Sequence, residues 1–440
     1  MKTLARKTSR QGRGPARAIA IGVVVLLLGA GSAVGYSVLT HEQVVDLLWK
    51  DGIVPLLLKR FPQATEEDLR KAHAFAYGGS LIQDMGYYPF GNKFFSDLTH
   101  YVRSGDFVEN LLEDSSDLNE YAFALGAMAH YVSDTCGHPV INRVVPIEFP
   151  KLKKKFGDSV TYEDDPKAHI RTEFGFDMVQ VAKNRYTNDR YHDFIGFELA
   201  KPLLERSFLK TYGLKLSDIF GDEDLAIGTF RRGVTKVIPE MTRVALLARK
   251  KQMVKEDPTF SRKKFLFYLS RTDYQKQWGK GYRRPGFGAR ILAFFLKIMP
   301  KVGPFKALQF KIPSTQSENL YIASVDKTVE QYRTYLQKTG KTVPQMDNMD
   351  FDTGKETLFG EYKLGDETYS KLLAQLAEHN FDQVTPELQE NVLHYYATAK
   401  PPAASDKAQK DWPATEKQLE QLKSHTAQPA IEQVPAPEKH

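Results

Sequence analysis

"AHYVSDTCGHPVINRV", residues 129–144, decides how the rest of the chain is read. Ala122, Leu125, Ala129 and Val132 recur at three- and four-residue steps, the spacing of one helix face. His130 and Asp134 lie four apart on that helix, so their side chains stack one above the other. Gly137 is expected to end the helix, and His138 follows it directly. Three side chains able to bind a metal thus leave one helix end in similar directions.

The same idea recurs on either side. In "HIRTEFGFD", His169 and Glu173 are again four apart. Upstream, "SLIQDMGYYPFG" supplies Asp84 and "FFSDLTHYV" supplies His100. Histidine and carboxylate donors without thiolates suit zinc in a hydrolytic site, ahead of manganese or iron. One such pair arises often by chance. Here six of the 11 histidines fall within residues 41–169, and a second pair is present. His73 and His192 are given no role, since a lone histidine on a helix is usually a satisfied core or surface residue. Cys136 reads as a buried structural thiol. Tyr87, Tyr88 and Phe90 follow Asp84 and either wall a substrate pocket or pack as turn aromatics.

The N-terminus carries a different signal. Residues 1–17 hold six Lys or Arg and no acid, and "AIAIGVVVLLLGA" (18–30) is apolar. Ala33-Val34-Gly35 then places small residues for a cut before Tyr36, so residues 1–35 read as a secretory signal peptide. The apolar run is short against the roughly 20 residues of a spanning helix, and the alternative is an uncleaved anchor. The expected location is therefore periplasmic or secreted, with N-terminal membrane anchoring as the alternative. Cleavage would free the Tyr36 amine five residues from His41. An amine, a backbone carbonyl and an imidazole can share one ion.

Removing the leader takes six positive charges from a net +7 and leaves about +1, so charge gives no argument for general nucleic-acid affinity. With 1 cysteine, no intramolecular disulfide is possible, and an exported chain must rely on its core and on metal. Helical patterns cover about 41–60, 66–77, 92–103, 167–184, 195–212, 223–248, 318–338, 368–378 and 385–397. The expected fold is all-α, divided as signal peptide (1–35), zinc-binding core (36–185), a further helical region (186–400) and a low-complexity, largely disordered tail (401–440). Residues 276–311 are basic, aromatic and free of acids, which suits an anionic membrane surface or a nucleic-acid backbone. An inter-helix segment with solvated charges has the same composition.

The order Tyr36, His41, Asp84, His100, His130-x-x-x-Asp134, His138, His169-x-x-x-Glu173 resembles the zinc-dependent phospholipase C family, over roughly residues 36–185. Its superfamily also holds the trinuclear zinc single-strand nucleases. The resemblance implies a helical bundle with about three zinc ions. One would take Asp84, His100, His130 and an oxygen of Asp134. A second would take His138, His169 and Glu173. A third would take the amine and carbonyl of Tyr36, His41 and the other Asp134 oxygen. Asp84 would also act as the catalytic carboxylate. Tyr36 stands where the family often has Trp, and the Asp134–His138 gap is two residues shorter than in the best-known members. The family's acidic residue ahead of the first histidine is missing from "YSVLT". The implied activity is that of a zinc-dependent phosphoric diester hydrolase acting on phospholipids. The alternatives are a single-strand nuclease and a non-catalytic, metal-stabilised envelope protein.

Overall fold

The computed structural model describes residues 37–182, 197–238, 311–397, 399 and 407–427. Residues 1–35, read above as a signal peptide, Tyr36, His192, residues 276–310 and the last part of the tail, 428–440, lie outside the described residues. In chain order the helices are α1 (Val38–Leu48), α2 (Val54–Arg60), α3 (Glu66–Gly79), α4 (Lys93–Tyr101), α5 (Ser104–Asp114), α6 (Leu118–Glu148), α7 (Pro150–Phe156), α8 (Pro166–Ala182), α9 (Lys201–Tyr212), α10 (Leu216–Ile219), α11 (Glu223–Arg232), α12 (Thr315–Thr339), α13 (Lys363–Glu378), α14 (Pro386–Tyr395) and α15 (Lys407–Ser424). A 3₁₀ turn, Ile82–Tyr87, joins α3 to α4. The one strand pair among the described residues is β1 (Met349–Asp350) with β2 (Lys355–Glu356), antiparallel, Met349 opposite Glu356. The fold is all-α, as the periodicity predicts. Among the described residues no helix is long and apolar enough to cross a membrane.

The 31-residue α6 is buried along almost its whole length, its polar face of His130, Asp134, His138 and Asn142 included. Asp117 caps it, accepting from the backbone N–H groups of Asn119 and Glu120 at 2.8 and 2.9 Å. Its first half packs on α3, whose own start is held by a Thr65–Asp68 capping box. The two backbones nearly touch. A Cβ on Gly79 would lie 1.9 Å from the Phe123 carbonyl oxygen, and one on Gly126 would lie 2.0 Å from that of Ala76. On another side α12 runs along α6, with the Tyr332 hydroxyl donating to the Leu125 carbonyl at 2.9 Å.

Two expectations are corrected. Gly137 does not end the helix, which continues through Pro139 and Pro146 to Glu148. Packing overrides the local breakers: Val140, Ile141, Val144 and Val145 keep the apolar pattern and bury against Val160, Phe176 and Tyr321. The tail is the second case. Residues 407–424, placed by composition in a largely disordered segment, form α15 on the flank of α13. Leu419 and Leu422 are buried, and the Gln389 side chain donates to the Leu422 carbonyl at 2.7 Å. The two leucines are three apart, one helical step, within an otherwise polar run that hides them in composition.

The α3–α6 crossing predicts that Gly126→Ala destabilises the protein by about 1–3 kcal/mol, because the new methyl meets backbone that cannot rotate away. Urea denaturation checks this, and an unchanged midpoint would mean that the helices do not approach so closely.

Candidate metal centre

Five elements aim side chains at one buried point. α1 brings His41. Its first turn is anchored by Asp177 of α8, which accepts from the Leu39 N–H at 3.0 Å and the Thr40 hydroxyl at 2.7 Å; the Tyr321 hydroxyl lies 2.7 Å from that of Thr40. The 3₁₀ turn brings Asp84, and the end of α4 brings His100. Because α6 is continuous, His130, Asp134 and His138 occupy successive turns of one face. α8 adds His169 and Glu173. None of these eight side chains belongs to a residue more than 2 % exposed.

Asp134 is the hub. Its Oδ1 lies 3.4 Å from His41 Nε2. Its Oδ2 lies 3.1 Å from His130 Nε2 and 3.5 Å from Nε2 of both His100 and His138. Asp84 Oδ1 is also 3.5 Å from His100 Nε2. Zinc bonds of roughly 2.0–2.2 Å at tetrahedral angles set neighbouring donor atoms about 3.3 Å apart, so these separations fit ligands around shared ions. In two sets of three, His41–His130–Asp134 and Asp84–His100–His130, the donor atoms all lie within 4.8 Å of one another. Both oxygens of Asp84 and of Asp134, and Nε2 of His100, His130 and His138, are buried without a hydrogen bond among the described residues. Buried lone pairs facing one another need a cation between them.

The other nitrogen of each ring explains which lone pairs face inward. His100 Nδ1 is 2.8 Å from the Ser96 carbonyl, and His130 Nδ1 is 2.9 Å from the Ser80 carbonyl. His138 Nδ1 is 2.7 Å from Asp352 Oδ1, and His169 Nε2 is 2.9 Å from Asn142 Oδ1. Each contact offers only an oxygen acceptor, so that nitrogen carries the proton and its partner keeps the lone pair. For His169 the inward atom is Nδ1, 2.6 Å from Glu173 Oε1. The His138 and His169 rings meet edge to face at 5.5 Å. The short Asp134–His138 gap therefore leaves His138 at the centre.

The electrostatics point the same way. Burial and the charge on His130 push His41 well below its usual range. Burial also opposes charge on His100, but Asp134 and Asp84 outweigh it and raise the ring to about 10. For Asp134 burial is outweighed by His130 and His138, which hold the carboxyl well below its usual range. Burial and Asp134 push Glu173 well above its own. The carboxylates call for positive charge that burial denies to His41 and His169, and a divalent ion supplies it.

The aromatic candidates divide. Tyr87 is buried, its ring 5.8 Å from that of His100. Tyr88 packs edge-on to Phe230 at 4.7 Å, and Phe90 is 56 % exposed with φ 63°. His73, read as having no role, pairs with Asp46 at 2.9 Å and stacks on Trp49. The Cys136 thiol turns to Gln331, 2.9 Å away. Two residues at the centre escape a reading of the sequence. Asn142 is four past His138, so the step already seen at 130, 134 and 138 could have found it. Asp352 is 214 residues from its partner, and no local pattern marks it.

Residues 40–220 match the family model described as zinc dependent phospholipase C, which bears out the resemblance carried by the ligand order. No curated protein matches the chain, and no solved structure does.

Chelation should lower the thermal unfolding midpoint by several degrees, and added zinc should restore it, since an ion present at 1,000 times its Kd stabilises by about 4.1 kcal/mol. The ring nitrogens must give up protons to bind, so zinc affinity should fall as the pH falls. Asp134→Asn should lose at least two ions, whereas His41→Ala should lose one. Melting curves that ignore chelator, or full zinc in Asp134→Asn, would remove the metal from this site.

Proposed function

We propose that this chain, a match to the zinc-dependent phospholipase C family over residues 40–220, is an exported phosphoric diester hydrolase that acts on phospholipids. The observation that supports the reading most is Asp134, a buried carboxylate with imidazole nitrogens 3.1–3.5 Å from its two oxygens. In this reading Asp84, His100, His130 and Asp134 hold one ion. His138, His169 and Glu173 hold a second. His41 and the far oxygen of Asp134 join the amine and carbonyl of Tyr36 around a third. The leader is then cut before Tyr36, so that export itself completes the donor set.

Zinc in such a site supplies Lewis acidity and brings the pKa of a water near neutrality. The chain's own groups do the rest. Neither oxygen of Asp84 accepts a hydrogen bond among the described residues, so its lone pairs are available. Asp84 orients the attacking water and takes its proton as the water oxygen bonds to phosphorus and the P–O bond to the leaving oxygen breaks, and that proton then passes to the leaving oxygen to give the alcohol. The Tyr87 hydroxyl, buried and without a hydrogen-bond partner among the described residues, is a donor for a non-bridging phosphoryl oxygen. The fixed imidazoles need no reorientation during the reaction.

Protein cut to begin at Tyr36 is expected to carry about three zinc ions and to release phosphorylated head group from choline or ethanolamine lipids. Cleavage of single-stranded DNA in place of lipid would make it a nuclease, and full zinc with neither activity would make it a metal-stabilised binding protein. A second comparison isolates the N-terminus. Adding Gly-Ser ahead of Tyr36 replaces the amine with an amide nitrogen, whose lone pair is delocalised into its carbonyl. That protein should bind fewer ions and turn over poorly. Equal zinc and equal activity in the two forms would show that His41 works without the N-terminus.

A further inference from the structure

The turn between β1 and β2 lies beyond residues 40–220, yet it reaches the centre. Asp350 folds it, its Oδ1 accepting from the N–H groups of Asp352 and Thr353 at 2.8 and 3.2 Å. The Phe351 N–H donates to the His100 carbonyl at 3.1 Å. Gly354, at φ +64°, presses on α6: a Cβ there would lie 2.5 Å from Pro139 Cγ and 2.7 Å from the Thr135 carbonyl oxygen. That carbonyl is the one the Pro139 ring leaves without its helical donor.

This approach delivers Asp352, which is fully buried. Its Oδ1 meets His138 Nδ1 at 2.7 Å, while its Oδ2 accepts from the hydroxyls of Tyr101 at 2.8 Å and Tyr362 at 2.6 Å. Its main-chain oxygen accepts from Asn142 Nδ2 at 2.7 Å. With its amide nitrogen so engaged, Asn142 must present Oδ1 to His169 Nε2.

We propose that Asp352 is a positioning residue for the His138–His169–Glu173 donor set, fixing His138 through its carboxylate and His169 through its main-chain oxygen and Asn142. The inference rests on the metal reading above. A histidine ring can turn over or rotate about χ2, and one turn of chain removes both freedoms from both rings. Burying a carboxylate is costly, and a neutral acceptor would suffice for packing alone. A carboxylate adds charge-assisted strength and makes the imidazole a better donor to a cation. With both oxygens occupied, Asp352 acts on a metal through His138 and not as a ligand itself.

The test compares the mature full chain with Asp352→Asn and Asp352→Ala by zinc titration against a chromophoric chelator, with circular dichroism reporting the fold. Asp352→Ala should bind one ion about 10–100-fold more weakly and leave the others unchanged. Asp352→Asn keeps an acceptor without its charge and should fall between. A folded Asp352→Ala with wild-type affinity at every position would overturn the proposal. If Asp352→Ala does not fold, Asp352→Asn decides on the same criterion. If neither folds, ¹⁵N NMR of wild-type protein decides: the proton should sit on Nδ1 of His138 and Nε2 of His169, and the reverse would overturn the assignment. A wild-type chain that binds no zinc sinks the metal reading itself. One that binds about three ions beside unaffected variants sinks only the role of Asp352.

Discussion

A single buried carboxylate organises the molecule. Asp134 sits at the middle of the longest described helix with four imidazole nitrogens around its two oxygens. A charge so placed is tolerable only if compensated, and compensation has to come from side chains on other elements or from ions they share. α1, α4 and the 3₁₀ turn are therefore not free to pack on α6 in any register that buries apolar surface. Each must arrive with one donor at the level of Asp134. The anchoring of α1 by Asp177 and the bare approach of α3 to α6 both serve that alignment.

The α3–α6 crossing shows how packing becomes chemistry. Gly79 and Gly126 let the backbones touch. That closeness carries the next residue, Ser80, far enough for its carbonyl to take the His130 Nδ1 proton. A larger residue at either glycine would move an acceptor and so loosen a tautomer. The same logic holds at Gly354, where a missing side chain admits the turn that carries Asp352. Packing density at these points sets ligand orientation as well as stability.

Much of this was legible in the sequence, and the remainder was hidden for physical reasons. His130, Asp134 and His138, and His169 with Glu173, declare themselves because helical periodicity turns a four-residue spacing into a shared face. Asp84 and His100 became legible through their order along the chain, which matches the family pattern. Gly137 misled because local propensity is a weak prior once both halves of α6 have a core to join. Asp352 could not be read, since its contact to His138 spans 214 residues and depends on a turn built by Asp350 and Gly354. α15 was masked by a polar composition in which two leucines suffice for burial.

Charge balance links the donor set to the substrate. Asp84, Asp134, Glu173 and Asp352 place four carboxylates within one buried region. Left to themselves they would repel any phosphodiester, which carries a negative charge of its own. Cys136 offers no thiolate to the set, and the donors are nitrogen and oxygen alone. Such donors suit borderline dications, and the three ions proposed above would outweigh the four carboxylates and turn the region positive. The carboxylates that by themselves are hostile to a phosphate are thus what makes the centre strong for cations, and in the proposed reading the cations would make it a place for a phosphate. Aligning donors on Asp134 and fixing their tautomers from Ser80, Ser96, Asn142 and Asp352 is the fold's share of that inversion of sign.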